Sequence, residues 1–418
     1  MARQRTDTTI MFYGWKLSFL TMGCNFMLQG SALYCMNAFM EPLCELHGWS
    51  RAGLNVSMGL AALMGQLAMP LAAAVSTRHS LRALTTLGAL CGGVATVCMG
   101  MTDSLRLFTL FFIILWVCTQ FCGGVVGNAL MSRWFRHFQG RAFGLANAGT
   151  SLSGVILPFL SMVLIHGCGV AASYAALGAL TLLLAPLSWF LVRDEPQAME
   201  LHPDGRRHEP RAAGVARVNA SFMALAHSRQ AWFVGLAFGL ALMTGSAVMS
   251  QMKPRFADMG LAPYPAMLLA CLSALFAALA KYAWGWFSDR FTPLAAARLI
   301  MACSVASLLL LQLPPSLVSM ALFSMAFGSC IGGLWTVLPA VVSYYFGSQN
   351  FLSAYKFISF FIILRCAGFP VMGLSHDLCG SYALADIFFG VCLLLSCVLT
   401  LLLRRDDAVE NTPRRHRH

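Results

Sequence analysis

Charged side chains are scarce in this chain: Asp, Glu, Lys and Arg make up 11% of its 418 residues, against 58% apolar residues. So few charges cannot cover the surface of a soluble protein of this length. Apolar runs of about 20 residues, the length that a helix needs to cross a bilayer, recur from end to end. The composition therefore excludes a soluble domain and predicts an all-α membrane protein that crosses the bilayer many times.

Short polar segments divide the chain into twelve apolar runs, and we expect each run to form one transmembrane helix. The gap between the sixth and seventh runs is the only long one, and it is rich in Arg and Pro. This pattern predicts an N-terminal six-helix lobe over 1–192, a cytoplasmic linker over 193–230, a C-terminal six-helix lobe over 231–403 and a cytoplasmic tail over 404–418. The predicted spans are 13–37, 52–75, 84–101, 107–132, 142–165, 173–192, 231–252, 265–286, 295–313, 317–341, 354–375 and 382–403.

Acidic residues are also few, since the chain has 16 Asp and Glu against 28 Lys and Arg and a net charge of +12. When the N-terminus is placed inside, 20 of the Lys and Arg residues fall on the cytoplasmic side, four fall outside and four lie within the spans. This distribution obeys the positive-inside rule. It predicts a multi-pass protein of the plasma membrane, of the bacterial inner-membrane type, with both termini in the cytoplasm. The excess positive charge then contacts anionic lipid, so we expect membrane lipid as a partner and no nucleic acid.

No cluster of side chains in the sequence points to a metal, a cofactor or an enzyme. The 15 cysteines lie mostly within the spans, and Cys118 and Cys122, which share a helix face, have no second pair or nearby His that would complete a metal site. We interpret the cysteines as packing residues. No nucleophile, acid and base converge at helical spacing either, so the sequence predicts neither a resident cofactor nor an enzyme.

Two cations, Lys281 and Arg365, lie inside apolar runs, and neither has an acidic residue one helical turn away. A charge in the hydrocarbon region costs at least about 3 kcal/mol and persists where it lines a cavity or meets a counter-charge. A guanidinium can hold a carboxylate through two parallel hydrogen bonds, whereas an ammonium offers a compact charge. The two cations therefore predict a binding site for a small anion. Lys281 also lies near enough to the end of its run to reach the membrane interface instead.

The two halves of the chain repeat weakly. Gly123-Gly124 in the fourth run is followed by Trp134-Phe135, and Gly332-Gly333 in the tenth run is followed by Tyr345-Phe346, with 209 residues between the two glycine pairs. Parallel six-helix repeats joined by a central linker are typical of secondary transporters, which bind a solute near the midplane and expose it to each side in turn. We therefore expect the functional site between the two lobes.

Several motifs occur in an order that is similar to that of a known family. In chain order they are FYGW (12–15), GWSRA (48–52), RWF (133–135), GRAFGLANAG (140–149), RDEP (193–196), LHPDG (201–205) and WGWFSDR (284–290). The chain thus resembles the major facilitator superfamily, and within it the bacterial branch of oxalate/formate antiporters and monocarboxylate transporters. The similarity covers residues 12 to about 205 and the eighth run, with a looser match to the end. It implies two pseudo-symmetric lobes of six transmembrane helices each.

This resemblance implies where a carboxylate substrate would bind. The family places a substrate-binding cation in the eighth helix, four residues before the glycine of the cytoplasmic turn, and Lys281 stands at this position. A second cation lies midway along the family's eleventh helix. The register leaves Arg365 and Lys356 open, and the central position favours Arg365. Aromatic residues line the family's site, and Tyr34 and Trp335 stand at such positions.

The sequence also departs from the family's pattern. Ala277 stands where the proton-linked monocarboxylate carriers of eukaryotes commonly have an Asp, one turn before the cation of the eighth helix. Gly124 and Thr150 replace aromatic residues expected in oxalate-type carriers, which predicts a wider pocket than oxalate needs. Thr77 replaces the usual Asp in the turn of the first half, whereas the second half keeps Asp289.

Charged residues near the cytoplasmic ends of the spans are candidates for a gate. Asp289 and Arg290 follow the eighth run, and Arg78 lies at the corresponding turn of the first half. We expect these residues to form charge contacts that hold the inner gate shut, joined by Arg133 and Arg141. Such residues act in a conformational change and are not ligands of the substrate.

Protonatable groups inside the spans are few: Glu41, His166 and His376 all lie near the outer boundary. A proton symporter needs a carboxylate or a His within a span, so the sequence favours anion exchange or uniport over tight proton coupling. The predicted function is secondary active transport of a small organic anion, a mono- or dicarboxylate, by alternating access in a monomer.

Two other functions stay open at the level of the sequence. A multidrug or other hydrophobic-solute exporter of the same fold is one, because walls rich in Met and Phe tolerate varied apolar ligands. A non-transporting sensor built on this fold is the other. The identity of the anion, the direction of transport and the coupling ion are equally open.

Overall fold

The computed structural model describes residues 12–199, 201–205, 222–379 and 381–403, and within these ranges the chain is helical and contains no β-strand. Four of the six arginines of the predicted linker, and the predicted tail over 404–418, lie outside the described residues. The division of the chain into lobes, linker and tail therefore stays a prediction.

The helices of the first half form six spans, and those of the second half form six more. In the first half they are Tyr13–Cys24, a π-helical turn over Asn25–Gln29, Gly30–Leu33 and Met36–His47; Arg51–Ser76; Leu81–Gly100; Leu105–Cys122 with Val125–Trp134; and Gln139–Leu182 with Leu184–Leu191, which hold the fifth and sixth spans. In the second half they are Arg229–Ser250 with the short helix Met252–Asp258; Pro263–Arg290; Pro293–Leu309 with Leu310–Gln312; Leu317–Ile362, Ile363–Ala367 and Gly368–Cys379, which hold the tenth and eleventh spans; and Ala383–Leu402.

Two glycines explain how these helices make twelve crossings. Nine helices within the described residues are long and apolar enough to cross a membrane. Two of them measure 53 and 56 residues, more than twice what one crossing needs. Each of the two is broken at a glycine with positive φ, Gly169 at 81° and Gly347 at 75°, and so contributes two spans. With the interrupted first span the total is twelve, as predicted.

Small residues let neighbouring helices of each lobe touch through their backbones. A Cβ on Gly93 of the third span would meet backbone and side-chain atoms of Leu182 in the sixth span. In the second half, a Cβ on Gly332 of the tenth span would meet the carbonyl of Ala277 in the eighth span. Close backbone approach of this kind is how membrane helices associate when lipid is as apolar as their side chains.

The first and fourth spans are interrupted where they meet. The fourth span breaks at Gly123-Gly124, where Gly124 has a ψ of −101° and its N–H donates to the Thr119 carbonyl, five residues back, at 2.9 Å. A Cβ on Gly123 would meet the side chain of Asn25 in the π-helical turn of the first span. The Asn25 amide in turn donates a 2.8 Å hydrogen bond to the carbonyl of Ala146 in the fifth span. The matching pair Gly332-Gly333 leaves the tenth span continuous, so the sequence repeat is not a repeat of local structure.

Two acids from the motifs after the sixth span cap helices of the first half. Asp194 accepts a hydrogen bond from the main-chain N–H of Arg82, at the start of the third span, at 2.9 Å. Asp204 accepts one from the N–H of His137, just before the fifth span, at 2.8 Å. Negative charge stabilises a helix N-terminus, so both acids have structural roles. We call the face that carries these turns the inner face, which the arginine distribution predicts to be cytoplasmic.

Candidate substrate site and inner gate

Lys281 lies on the eighth span, nine residues before Arg290 at the inner end, which corresponds to about 13 Å of helix. Its side chain is only 3% exposed. The ammonium nitrogen donates a 2.7 Å hydrogen bond to the main-chain carbonyl of Asn147 in the fifth span. The side chain therefore points into the contact between the two halves and does not extend to the membrane interface, which was the alternative that the sequence left open.

No described carboxylate pairs with Lys281 or with Arg365. Asp386, the acid of the twelfth span, pairs with Arg255 on the short helix after the seventh span. The guanidinium carbon of Arg255 also lies 5.0 Å from the ring centroid of Tyr382, so a cation–π contact accompanies that ion pair. Lys281 and Arg365 thus lie within spans without a described counter-charge, and burying an uncompensated charge such as that of Lys281 costs several kcal/mol.

Arg365 sits on the short 3₁₀ segment that joins the two α-helical parts of the eleventh span, and it is half-buried. Its guanidinium carbon lies 5.6 Å from the ring centroid of Trp335 in the tenth span, within the range of a cation–π interaction. The guanidinium also lies within electrostatic reach of the Tyr34 hydroxyl. The Tyr34 ring packs on Gly154 of the fifth span, where a Cβ would come within 2.8 Å of it. The structure thus brings Tyr34, Trp335 and Arg365 together between the halves.

The register of the eighth and tenth spans places Lys281 near this group. Both helices run towards the inner face, and they touch where Gly332 meets Ala277. Lys281 follows Ala277 by four residues, and Trp335 follows Gly332 by three. Since each step is about one helical turn, Lys281 and Trp335 lie in the same layer of the protein.

Lys356, the other candidate for the second cation, lies nine residues nearer the inner face than Arg365 along the eleventh span. It is half-buried, and its main-chain carbonyl accepts a 2.8 Å hydrogen bond from the Ser359 hydroxyl. The cation in contact with Trp335 is Arg365. The geometry therefore favours Arg365 as the partner of Lys281.

Asp289 closes the inner face by capping a helix of the opposite half. Its carboxylate accepts hydrogen bonds from the main-chain N–H groups of Gly140 at 2.6 Å and Arg141 at 3.0 Å, at the start of the fifth span. The Arg141 guanidinium lies 3.6 Å from the same carboxylate and 5.1 Å from the Phe138 ring centroid. A helix N-terminus carries partial positive charge, so this contact joins opposite charges across the two halves.

The fifth and eighth spans touch through their backbones along this inner half. A Cβ on Gly285 would meet the carbonyl of Gly140, and a Cβ on Gly144 would meet the carbonyl of Lys281. Nearby, the rings of Phe143 and Phe351 stack with 6.3 Å between centroids. The inner half of the contact between the lobes is therefore sealed in this conformation.

The remaining gate candidates take no part in this contact. Arg78 and Arg290 are exposed, and Arg133 is half-buried. None of the three pairs with a described carboxylate. Of the five predicted gate residues, the structure brings together Asp289 and Arg141, and Asp289 bonds mainly to main-chain N–H groups where we expected pairs of charged side chains.

Two residues beside Lys281 were not predicted as site residues. Asn147 supplies a main-chain carbonyl, which any residue can offer, and its side chain donates a 3.1 Å hydrogen bond to Asn128 of the fourth span. For both asparagines, a polar amide within an apolar run was the signal that the sequence offered.

Comparison with known proteins defines the class of this chain. Residues 17–364 match the model of the Major Facilitator Superfamily, and the chain belongs to this family. Its members whose structures resemble this chain are transporters and not enzymes.

Two curated relatives share the sequence more specifically. Monocarboxylate transporter 11 of mouse is 27% identical over 285 residues, which cover 66% of this chain and 60% of the relative. Monocarboxylate transporter 11 of human is 25% identical over 284 residues, which cover 66% and 57%. The matched region thus spans less than two thirds of either relative.

Solved structures share the fold at lower identity. The transporter FucP in the outward conformation matches with a TM-score of 0.70 and 16% identity, over 93% of this chain and 99% of that one. The human organic anion transporter MFSD10 matches with a TM-score of 0.72 and 16% identity, over 94% and 100%. The proton:xylose symporter XylE matches with a TM-score of 0.70 and 14% identity, over 93% and 95%. At these identities the similarity shows the fold alone.

Proposed function

We propose that this chain is a secondary active transporter that moves a small organic anion, a mono- or dicarboxylate, across the membrane by alternating access. One observation carries the proposal: the buried ammonium of Lys281 has a neutral carbonyl as its partner and no described counter-charge. The curated relatives are named as monocarboxylate transporters, which agrees with an anionic substrate. The fold alone does not select the substrate, since a xylose symporter shares it.

The donors around the site suit a carboxylate. Lys281 has three N–H donors, and the hydrogen bond to Asn147 uses one of them. Arg365 can offer two parallel N–H groups to a second carboxylate or to a polar oxygen. The ring of Trp335 packs against one face of the guanidinium plane and leaves its N–H edge for the substrate. A monocarboxylate with a second polar group, or a dicarboxylate, would satisfy both cations.

The sealed inner half gives the proposed transport cycle its first state. With Asp289 capping the fifth span, an anion would enter from the outer face and reach Lys281 and Arg365. Rocking of the lobes would then break the cap and separate Gly285 from Gly140, which opens a path to the inner face. The arginine distribution supports an inner face in the cytoplasm of a bacterial-type plasma membrane, and one chain holds both cations, which supports function as a monomer.

Exchange or uniport fits this site better than tight proton symport. Asp289 is held by main-chain N–H groups at the inner face, and Asp386 is held by Arg255. These two acids thus have partners within the described protein. Neither lies among the residues that would contact the substrate.

A thermal-shift panel on the purified protein tests the proposal. Oxalate, formate, lactate, pyruvate and succinate are added to the wild type and to the Lys281→Gln and Arg365→Gln variants. We expect at least one carboxylate to stabilise the wild type, by about 2.7 kcal/mol at 100 times its Kd. Both variants should lose the shift, because each removes a charged donor.

Lys253→Gln is the matched control, because it removes one exposed charge near the outer end of the second half. It should keep the wild-type shift. Shifts that persist in both site variants would remove the two cations from the site. A lipophilic cation such as tetraphenylphosphonium that stabilises the wild type better than every carboxylate would favour the drug-exporter alternative.

A further inference from the structure

An arginine and an exposed tryptophan meet at the inner ends of the third and sixth spans. Arg82 is the second residue of the helix Leu81–Gly100, and Trp189 lies two residues before the end of the helix Leu184–Leu191. The guanidinium carbon of Arg82 lies 4.2 Å from the ring centroid of Trp189, a close cation–π contact. Trp189 is 48% exposed, so the pair lies on the outer surface of the first half, where tryptophans are enriched at a membrane interface.

The Arg82 guanidinium is short of acceptors. It pairs with no described carboxylate, and its Nε–H is buried without an acceptor among the described residues. Asp194 accepts hydrogen bonds from the Ser80 hydroxyl and from the main-chain N–H groups of Leu81 and Arg82 at 2.9–3.1 Å, so this carboxylate serves the helix start. A buried N–H without an acceptor is unfavourable, and a ligand that brings an anionic oxygen would relieve it.

An arginine near the start of the ninth span finds its acceptors within the protein. Arg298 donates through its Nε to the carbonyl of Thr400 at 3.1 Å and through its Nη2 to the carbonyl of Leu403 at 3.0 Å, at the end of the twelfth span. At the end of the sixth span, Arg82 instead lies against the ring of Trp189. The ring attracts the positive charge but supplies no oxygen to the N–H groups. Arg82 therefore keeps donors that Arg298 has used.

Positive charge predominates around Arg82. Arg78 precedes it by four residues and is exposed, and Arg193 follows the sixth span and is half-buried. The acids of the same region are Asp194, which holds the helix start, and Glu195, which is exposed. Three cations against two acids favour an anion over a ligand without net charge.

The surface next to Arg82 is apolar towards the middle of the membrane. The third and sixth spans pack together where Gly93 meets Leu182, so their outer sides form one continuous surface. The exposed side chains on it include Leu87 and Leu90 of the third span and Leu183 and Leu187 of the sixth. A ligand with a phosphate and acyl chains fits both parts of this surface, whereas a free phosphate would use the arginine alone.

We propose that Arg82 binds the phosphate of an anionic phospholipid, of the phosphatidylglycerol class, in the leaflet at the inner face. The guanidinium donates parallel hydrogen bonds to two phosphate oxygens, and its Nε–H takes part in one of them. The acyl chains lie along the third and sixth spans. Basic sites between transmembrane helices on the cytoplasmic side bind anionic headgroups in this way.

Trp189 is a positioning residue in this site, because its ring holds the guanidinium at the depth of the headgroups and does not touch the phosphate. The site lies on the outer surface of the first half, whereas Lys281 lies in the contact between the halves. Binding of the lipid therefore does not depend on the proposed substrate, and either proposal can fail without the other.

Native mass spectrometry of the purified protein, titrated with phosphatidylglycerol, tests the site through the Kd of the first bound lipid. Arg82→Gln removes the charge and the paired donors, so the Kd should rise about tenfold. Arg82→Lys keeps the charge but not the parallel donors, so the Kd should rise about threefold. Trp189→Leu should raise the Kd about fivefold. Melting temperatures in the same detergent show that the variants are folded, and Trp189→Leu carries the test if Arg82→Gln is unfolded.

Arg229→Gln is the matched control, because it removes one exposed arginine at the start of the seventh span, also at the inner face. It should bind phosphatidylglycerol like the wild type, and phosphatidylcholine with the same acyl chains should bind the wild type more weakly. An equal Kd for the wild type, Arg82→Gln and Trp189→Leu would overturn the site. An equal loss in Arg229→Gln and Arg82→Gln would reduce the binding to unspecific attraction by positive charge and overturn it too.

Inorganic phosphate and phosphatidylcholine serve as competing probes. An excess of inorganic phosphate should leave phosphatidylglycerol bound, because the acyl chains contribute contacts that phosphate lacks. Complete displacement of the lipid by inorganic phosphate would show a site for the free anion and overturn the assignment to a lipid. Phosphatidylcholine that binds as tightly as phosphatidylglycerol would overturn the selectivity for an anionic headgroup.

Discussion

Lys281 and Arg365 hold their charge in different ways, and this difference matters at the scale of single residues. Lys281 bonds to a carbonyl of the opposite half, so its partner changes whenever the halves move. Arg365 lies on Trp335 within its own half, so this contact can persist through the movement. We therefore expect Arg365 to set affinity in both states and Lys281 to link affinity to movement.

Replacement of Trp335 by Leu tests the role of the aromatic face. The cation–π contact contributes about 1 kcal/mol and fixes the orientation of the Arg365 guanidinium, so the KM for counterflow of pyruvate should rise about fivefold with little change in maximal rate. Trp286→Leu, which alters an exposed tryptophan on the eighth span, serves as the control. Equal KM values for the wild type and Trp335→Leu would show that the ring does not orient the guanidinium.

Part of the site could be predicted from residue types alone. Lys281 and Arg365 stand out because a charge is rare in an apolar run, and Trp335 was found through the family resemblance. The Asn147 carbonyl could not be predicted, since a main-chain acceptor leaves no trace in the residue type. Likewise, the sequence indicated that Asp289 belongs to the gate but did not reveal that main-chain N–H groups are its partners.

At the scale of helices, the contact between the fifth and eighth spans depends on the absence of side chains. Gly140 and Gly285 face each other so closely that either Cβ would meet backbone atoms of the other helix. Neither helix can yield locally, because the backbone hydrogen bonds of each fix its atoms. Any larger residue at these positions therefore acts on the position of the whole helix.

Replacement of Gly285 by Val should force the inner ends apart. Overpacking of this kind costs about 1–3 kcal/mol, which would shift the equilibrium from the inner-closed towards the inner-open state by about 5- to 150-fold. We expect faster hydrogen exchange over 139–147 and a lower rate of counterflow. Gly390→Val is the matched control, because a Cβ at Gly390 of the twelfth span meets nothing within 4 Å. Wild-type exchange in Gly285→Val would mean that the backbone contact does not hold the gate.

Most spans could be predicted within a few residues, although the first continues to His47, ten residues beyond its predicted end, and the interruptions could not be predicted. Apolar runs long enough to cross a bilayer leave a clear signal in composition. The pairs Gly123-Gly124 and Gly332-Gly333 look alike in sequence, yet only the first breaks its helix. The two glycine pairs differ in the segment that each one packs against. Gly123 lies against the π-helical turn at Asn25, whereas Gly332 lies against a regular helix at Ala277.

At the scale of the whole molecule, the two halves are not equivalent at the inner face. Asp289 of the second half caps the fifth span, but the corresponding turn of the first half has Thr77, which is exposed and carries no charge. The pseudo-symmetry of the fold would direct a side chain at position 77 towards the start of the eleventh span. Within the described residues, one charged cap thus joins the halves at the inner face, where the fold has room for two.

Replacement of Thr77 by Asp should add the second cap. A carboxylate at a helix N-terminus contributes about 0.3–1 kcal/mol, so the inner-closed state should gain up to about fivefold in population. We expect slower hydrogen exchange at residues 348–352 and slower counterflow. Thr77→Asn, which is of similar size and uncharged, is the comparison, and identical exchange in the two variants would contradict a cap at this position.

The backbone seal between the fifth and eighth spans has an electrical consequence. When one half of a carrier excludes water and the other half admits it, most of the transmembrane voltage falls across the closed half, and Lys281 lies in the half that these two spans close. Each unit charge that crosses 100 mV exchanges about 2.3 kcal/mol with that field. The transport of one anion alone would therefore cost or release this energy on every passage. The exchange of two anions of equal charge in opposite directions would move no net charge and require no electrical work.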